Sequence, residues 1–260
     1  MDCNLMLLET IEPEIINADA TGGLVIICEH ASNYIPPVLK NLGLDEKYLG
    51  EHIAVDIGAE AVTRAMANMM GGTAIIARVS RLVIDCNRES NHETLVPEAS
   101  DKVFIPGNTG LTPEAIATRR QAYYEPFHQA CDTIIENQLS AGETPLVIGM
   151  HSFTNIMNGF VRPWQIGFLW NKDPRLAEAM MGLMERETDL TIGNNEPYSG
   201  KDLYYTMNRH GMAHGLPQTT IEIRQDLLKK QSMVMEWAAL LADTLDECMN
   251  RPDIKSIKHY

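Results

Sequence analysis

Short apolar runs alternate along the chain with longer stretches in which apolar residues recur at helical spacing. The short runs predict buried strands and the longer stretches predict helices. The predicted strands are 24–28, 73–77, 82–85, 145–150, 165–169 and 219–224, and the predicted helices are 57–70, 112–139, 173–188 and 226–249. This alternation predicts an α/β protein whose mostly parallel, mixed sheet carries helices on both faces.

Two segments, 89–110 and 193–215, interrupt this pattern and are rich in Asn, Gly, Pro and His. Long irregular segments in a compact domain are more often functional loops than spacers. The sequence contains no internal repeat, low-complexity tract or obvious linker. We therefore expect a single domain over residues 1–260 with two functional loops.

The composition is that of a soluble globular protein, with 45% hydrophobic and 22% charged residues. A net charge of -14 argues against a nucleic-acid or anionic-membrane partner, because phosphate groups are bound by clustered Lys and Arg. No run of 18 or more apolar residues occurs, so we expect no membrane span.

The N-terminal stretch MDCNLMLLETIEPEI carries acidic residues where a signal peptide has a basic flank and a longer apolar region. The five cysteines include no CxxC pair, which favours reduced thiols. We therefore expect a cytoplasmic protein. The sequence does not indicate an oligomeric state.

Polar residues that are capable of chemistry follow several predicted strands, at the edge where open α/β sheets bind their ligands. Two histidines with nearby carboxylates are the ligand set of a catalytic zinc site that keeps a position open for water. The residues at these strand ends are Glu29, His30, Ser32 and Asn33; Asp85, Asn87 and Arg88; His151 and Ser152; and Glu222 and Arg224.

Each of these residues also has a purely structural interpretation. A lone histidine at a strand end is more often a satisfied polar group than a metal ligand. Asp85 and Arg88 could form an ion pair, and Arg224 could pair with a neighbouring helix. Glu222 is harder to explain in this way, because it lies between two isoleucines and a buried carboxylate needs a partner or a task.

An ordered set of motifs adds a family resemblance. The stretches CEHASNYIPP, HIAVDIGAE, SRLVIDCNR, GMHSFTN with RPWQIGFLW, and IEIRQDLL resemble the N-formylglutamate amidohydrolase family over about residues 24–245. They are more distantly similar to zinc carboxypeptidases. The resemblance implies a zinc-dependent hydrolase on a phosphorylase/hydrolase-like α/β fold, with N-formylglutamate giving formate and glutamate.

The resemblance also implies roles for individual residues. His30 and His151 match the two metal histidines, so one zinc ion per chain is expected. Asn87 and Arg88 match the pair that receives the substrate carboxylate, which implies a small anionic substrate. Glu222 matches the general base.

The carboxypeptidase pattern has Glu three residues after the first histidine, whereas this chain has Asn33. An amide oxygen is a poor zinc ligand, so we expect the acidic ligand to come from elsewhere. Asp56 is the expected replacement because a related zinc amidase family supplies an acid from that region. A helix N-cap is the alternative role for Asp56. Glu29 and His52 are further candidates for the missing ligand.

Three other residues are expected to face the substrate. Arg81, or a backbone N–H group, is a candidate for stabilising the oxyanion of the transition state. Arg162 is a second candidate for an anionic group, with a surface ion pair as its alternative. Tyr198, in the loop 193–215, is expected to close over the site.

Three other functions compete with this one. A peptidase or deacylase that acts on another carboxylate-bearing amide would use the same core. A non-catalytic carboxylate-binding protein with a degraded metal site is a second possibility, and Asn33 is its best support. A nucleotide-binding protein is disfavoured, because the loop 29–36 has no glycine to admit a phosphate and begins with an acid.

Overall fold

The computed structural model describes residues 8–260, so Cys3 and the start of the acidic N-terminal stretch lie outside the described residues. At its centre is a seven-stranded sheet. The strands of this sheet are β1 (Glu14–Ile16), β2 (Leu24–Cys28), β3 (Thr73–Ile76), β6 (Leu146–Phe153), β9 (Ile166–Leu169), β10 (Ile192–Asn194) and β11 (Gln218–Arg224). Their order across the sheet is β1–β3–β2–β6–β11–β9–β10.

The strand directions confirm the predicted fold class. The neighbouring strands β3, β2, β6 and β11 run parallel to one another. Strand β1 is antiparallel to β3, and β9 is antiparallel to β11 but parallel to β10. The molecule is therefore a single α/β domain with a mostly parallel, mixed sheet. The carboxyl ends of β2, β6 and β11 lie side by side along one edge.

Helices cover both faces of the sheet. Successive residues of β2 point to opposite faces, so Ile26 packs in one hydrophobic cluster and Ile27 in the other. The helices are α1 (Ala59–Met70), α2 (Pro113–Arg119), α3 (Glu125–Ser140), α4 (Arg175–Glu187), α5 (Tyr205–His210) and α6 (Gln231–Met249). Helices α1, α4 and α6 bury their apolar side chains in the first cluster, and α3 and α5 bury theirs in the second.

The prediction of a strand at 82–85 is wrong. These residues form a buried turn, in which the N–H of Val83 donates to the carbonyl of Ser80. Side chains take the place of a neighbouring strand, since Asn108 donates to the carbonyl of Leu82 and Arg119 to that of Val83. The position beside β3 is occupied by β1 instead. An apolar run indicates burial, but a strand also needs a free place in the sheet.

The predicted helix 112–139 is interrupted. Helix α2 is followed by one π-helical turn, Arg120–Tyr124, and then by α3. Pro126 lies in the first turn of α3 and has no N–H to donate to the carbonyl four residues before it, which accounts for a break in the regular ladder here. Tyr124 is the last residue of the π-helical turn.

The two predicted functional loops contain regular structure that the sequence analysis missed. Segment 89–110 includes a two-stranded hairpin of β4 (Ala99–Ser100) and β5 (Val103–Phe104), and segment 193–215 includes α5. A second hairpin of β7 (Ile156–Met157) and β8 (Phe160–Val161) follows β6. Within residues 8–260, none of the helices has both the length and the apolar character needed to cross a membrane.

Candidate active site

The two predicted metal histidines meet at the edge formed by the parallel strands. His30 follows the end of β2, and His151 lies near the end of β6, which runs beyond the predicted 145–150. The centroids of the two imidazole rings are 4.9 Å apart. Both side chains are buried, with 3% and 4% of their surface exposed.

Asp56 lies between the two imidazoles. Its Oδ2 atom is 3.4 Å from Nδ1 of His30 and 2.8 Å from Nδ1 of His151. The N–H of Asp56 donates to the carbonyl of His30 over 2.9 Å, which holds the two segments together. The alternative role of a helix cap is wrong, because Gly58 occupies the cap position of α1 and no side chain caps that helix.

A second carboxylate faces the other nitrogen of each imidazole. Asp85 Oδ1 lies 2.8 Å from Nε2 of His30, and Glu29 Oε2 lies 3.1 Å from Nε2 of His151. Metal-binding histidines characteristically have such an outer carboxylate, which fixes the orientation and the tautomer of the ring. The sequence pattern predicts Glu29 and Asp85 at this edge but does not pair them with the histidines.

Arg81 bridges two of these acids. Its guanidinium lies 3.3 Å from Asp56 Oδ1 and 3.1 Å from Asp85 Oδ2. Asp85 contacts His30 and Arg81, so the suggested ion pair between Asp85 and Arg88 does not form. Arg81 also lines the pocket, and its role toward an oxyanion stays a prediction.

Neighbouring charges shift the pKa values of the cluster in opposite directions. Burial acts to lower the pKa of His151, but Glu29 and Asp56 outweigh it and raise that pKa well above its usual value. Burial acts to raise the pKa of Asp56, but His30 and His151 lower it far below the usual range. Asp56 is therefore a carboxylate, the form in which it can bind a cation.

Glu222 lies beside His151 on the neighbouring strand. The two residues are register partners across β11 and β6. Glu222 is buried, and its Oε2 atom has no hydrogen-bond partner among residues 8–260. Burial raises the pKa of Glu222 to about 7, with His151 opposing and Asp56 adding to the rise. Arg224 pairs with Asp226 at 2.8 Å and leaves Glu222 free.

These residues line a pocket of about 200 Å³. His30, Asp56, His151 and Glu222 form part of its wall. The two hairpins contribute to the wall as well, since Ser100 and Asp101 come from the β4–β5 hairpin and Met157 comes from β7.

The predicted carboxylate anchor, Asn87 and Arg88, also lines the pocket. Nε of Arg88 donates to Thr94 Oγ1 at 3.1 Å, and Nη1 of Arg88 donates to the carbonyl of Asn87 at 3.0 Å. Oδ1 of Asn87 accepts the N–H of Thr206 at 3.1 Å. The Asn87–Arg88 segment is therefore held by local hydrogen bonds and by one from α5.

Arg162 and Tyr198 form a stacked pair. The guanidinium carbon of Arg162 lies 4.8 Å from the centroid of the Tyr198 ring and 5.5 Å from that of Phe153. Arg162 also donates to the carbonyl of Thr154. Tyr198 lines the pocket, whereas Arg162 stacks on the Tyr198 ring and is not one of the lining residues. Direct contact of Arg162 with a substrate therefore stays a prediction.

Two other candidates for the missing ligand, Asn33 and His52, lie outside the histidine cluster, whereas Glu29 contacts His151 from the far side of its ring. Asn33 is exposed and donates to the carbonyl of Leu49 at 2.8 Å. His52 pairs with Asp101 at 3.2 Å, at the rim of the pocket. Among the described residues, His30, Asp56 and His151 form a group whose ligand atoms all lie within 4.8 Å of one another.

A family profile described as N-formylglutamate amidohydrolase matches residues 22–229. The chain belongs to the N-formylglutamate amidohydrolase family. It is thus an amidohydrolase, and the resemblance predicted from the motifs is confirmed. A comparison with curated proteins found no match.

Two solved structures are similar to this member of the family. The gene product Atu2144 from Agrobacterium tumefaciens is 35% identical, with a TM-score of 0.90, over 93% of this chain and 97% of the other. The N-formylglutamate amidohydrolase from Ralstonia eutropha JMP134 is 17% identical, with a TM-score of 0.63, over 86% of this chain and 94% of the other. At that identity the second likeness shows a shared fold.

Proposed function

We propose that this amidohydrolase depends on zinc and cleaves the amide bond of an N-acyl amino acid of the N-formylglutamate kind. The observation that carries the proposal is the convergence of His30, Asp56 and His151 beside Glu222, whose Oε2 atom has no hydrogen-bond partner among the described residues. Arg88 in the same pocket supplies a cation for the substrate carboxylate.

The residues present fit a zinc ion. His30, Asp56 and His151 offer two nitrogen donors and one oxygen donor, the ligand types that zinc takes in hydrolases. The carboxylates of Glu29 and Asp85 hold the two imidazoles from behind. This concentration of buried negative charge is also favourable for a divalent cation.

In the proposed reaction, a zinc ion held by His30, Asp56 and His151 would supply Lewis-acid activation of the water and of the amide carbonyl. Glu222 accepts a proton from the attacking water and later donates it to the leaving amine. Its burial beside His151 suits this task, since its Oε2 atom has no hydrogen-bond partner within residues 8–260. Arg81 is fixed by two aspartates at the pocket wall, close to where negative charge would develop.

Arg88 and Asn87 are proposed to bind the carboxylate of a small anionic substrate. A guanidinium can grip a carboxylate with two parallel hydrogen bonds, and the amide of Asn87 adds another donor. This contact would place the scissile amide at a fixed distance from Glu222.

A metal analysis combined with a screen of N-acyl amino acids tests the proposed function. We expect one zinc per purified chain, release of formate from N-formylglutamate, and loss of turnover on chelation with recovery on adding zinc back. Hydrolysis of a different N-acyl amino acid would favour a related deacylase. Carboxylate binding without zinc or turnover would favour the non-catalytic alternative.

The acidic ligand can be tested with two matched variants. Asp56→Ala should weaken zinc binding by more than about 100-fold, because loss of even an outer partner of a metal histidine typically costs 10–100-fold. Asn33→Ala is the control, since Asn33 is exposed and bonds only to a backbone carbonyl among the described residues. Zinc titrations of both folded variants give the comparison. Equal affinities would remove Asp56 from the ligand set.

Arg88→Lys tests the carboxylate anchor. Lysine keeps the charge but loses the planar fork, so we expect KM to rise about tenfold, the equivalent of about 1.4 kcal/mol, with little change in kcat. An analogue whose α-carboxyl is amidated should be a poor substrate for the native enzyme, and its KM should not change when Arg88 is replaced. If both substrates respond equally, Arg88 supports the structure of the loop rather than the substrate.

A further inference from the structure

A second polar cluster shares no residue with the metal cluster and contacts the Asn87–Arg88 segment. It is formed by the short helix α5, by α3 and by the π-helical turn that precedes α3. Its members are Tyr124, His128, Asp132, Tyr205, Arg209 and His210, and we call this set the tyrosine–histidine ring.

Two hydrogen bonds hold the proposed carboxylate anchor, Asn87 and Arg88, one from Tyr124 and one from α5. Tyr124 donates its hydroxyl proton to the carbonyl of Arg88 at 2.9 Å. The N–H of Thr206, in α5, donates to Oδ1 of Asn87 at 3.1 Å. Because the amide oxygen of Asn87 is taken, the NH₂ group is the end left to donate to a ligand.

The hydroxyl of Tyr124 is oriented by a chain of hydrogen bonds. A hydroxyl has one proton, and since that proton goes to Arg88, Tyr124 accepts from the hydroxyl of Tyr205 at 2.8 Å. Tyr205 in turn accepts from Arg209 at 3.3 Å, and Arg209 pairs with Asp132 at 2.9 Å.

Two buried histidines close the ring. Nδ1 of His210 lies 2.9 Å from Asp132 Oδ1, and Nε2 of His210 lies 2.8 Å from Nδ1 of His128. Burial lowers the pKa of both histidines, so both are neutral. The Nδ1–H of His128 then donates to Nε2 of His210, and the Nδ1–H of His210 donates to Asp132. The His128 ring packs against Tyr124 with centroids 4.3 Å apart.

This arrangement fixes Tyr124 at both ends of its side chain. His128 packs against the aromatic ring, and Tyr205 and the Arg88 carbonyl bind the hydroxyl. Tyr124 also ends the π-helical turn, a local irregularity that is frequent at functional sites. None of the six residues of the ring lines the pocket, so the ring can influence a ligand only through the residues it holds.

We propose that Tyr124 is a positioning residue for substrate binding, which holds the Arg88 backbone so that the guanidinium meets the substrate carboxylate. This inference rests on the proposed function, in which Arg88 binds that carboxylate. The tyrosine–histidine ring keeps the Tyr124 hydroxyl aimed at the Arg88 carbonyl.

Tyr124→Phe tests the proposal, with Tyr123→Phe as the matched control. Tyr123 is a neighbouring buried tyrosine, and the Arg88 carbonyl accepts the hydroxyl proton of Tyr124 and not that of Tyr123. For the N-acyl amino acid with the highest kcat/KM, we expect Tyr124→Phe to raise KM by roughly 3- to 10-fold with kcat and zinc content unchanged. The control should leave KM unchanged. The α-carboxamide of the same substrate should show no response to either substitution.

A double-mutant cycle with Arg88→Ala completes the test. If Tyr124 acts through Arg88, Tyr124→Phe should have no further effect on KM once the guanidinium is absent. An equal rise in both backgrounds, or an equal rise for the carboxamide, would overturn the positioning role. If Arg88→Ala itself leaves KM unchanged, the anchor in the proposed function has failed. If Arg88→Ala raises KM but Tyr124→Phe does not, only the role of Tyr124 is wrong.

Discussion

Glu222→Gln is expected to reduce kcat by roughly 10²–10⁴-fold, the usual contribution of a positioned general base. Glutamine preserves the shape of the side chain and its ability to form hydrogen bonds, but it cannot accept the proton of the attacking water. Glu222 is buried next to His151, and its free oxygen has no competing partner among the described residues. Zinc content and KM should therefore stay close to those of the native enzyme.

The quantity to measure is turnover per folded, zinc-loaded molecule. Glu143→Gln is a suitable control, because it removes a carboxylate that pairs with Lys255 at 3.3 Å and lies outside the pocket wall. A purely structural role for Glu222 makes the opposite forecast. The Gln variant would then lose stability while its folded fraction kept a near-normal kcat. That result would contradict the role of Glu222 as the general base.

Replacing either His30 or His151 with alanine should abolish stoichiometric zinc binding. Each histidine provides one of the three donor atoms that converge, and the two that remain are too few for a stable catalytic site. His259→Ala is the control, since His259 is exposed and lies outside the cluster. Elemental analysis of the purified proteins, with circular dichroism to confirm folding, gives the comparison. Full zinc occupancy in either variant would remove that histidine from the ligand set.

The two histidine variants should differ in stability. His151→Ala leaves the buried Glu29 without its 3.1 Å contact, whereas after His30→Ala the carboxylate of Asp85 still pairs with Arg81. An uncompensated buried polar group costs about 1–3 kcal/mol. We therefore expect His151→Ala to unfold at a lower denaturant concentration than His30→Ala.

The meeting of His30, His151 and Glu222 could be predicted from the sequence for a geometric reason. Parallel strands present their carboxyl ends on the same edge of a sheet, so residues that end separate apolar runs meet there. The prediction needed only that β2, β6 and β11 be neighbours. It succeeded even though His151 and Glu222 lie within their strands and His30 follows its strand.

Other features depend on tertiary contacts that a linear pattern does not record. The run 82–85 is apolar because it is buried, but its carbonyls are satisfied by the side chains of Asn108 and Arg119. Asp56 reaches the histidines because its N–H folds back onto the carbonyl of His30. Tyr124 reaches Arg88 from a π-helical turn that helical periodicity alone does not predict.

The two short hairpins contribute to the pocket wall but are separate from the central sheet that carries the proposed general base. The residues proposed to bind the metal and to move the proton lie in the central sheet or in the segments that follow β2 and precede α1, whereas the β4–β5 and β7–β8 hairpins form two separate two-stranded sheets. We expect exchanges of residues at the hairpins to change the shape and charge of the pocket wall while the strands of the central sheet stay in place. Divergence in substrate range within such a scaffold can therefore proceed through two small, separable pieces of chain.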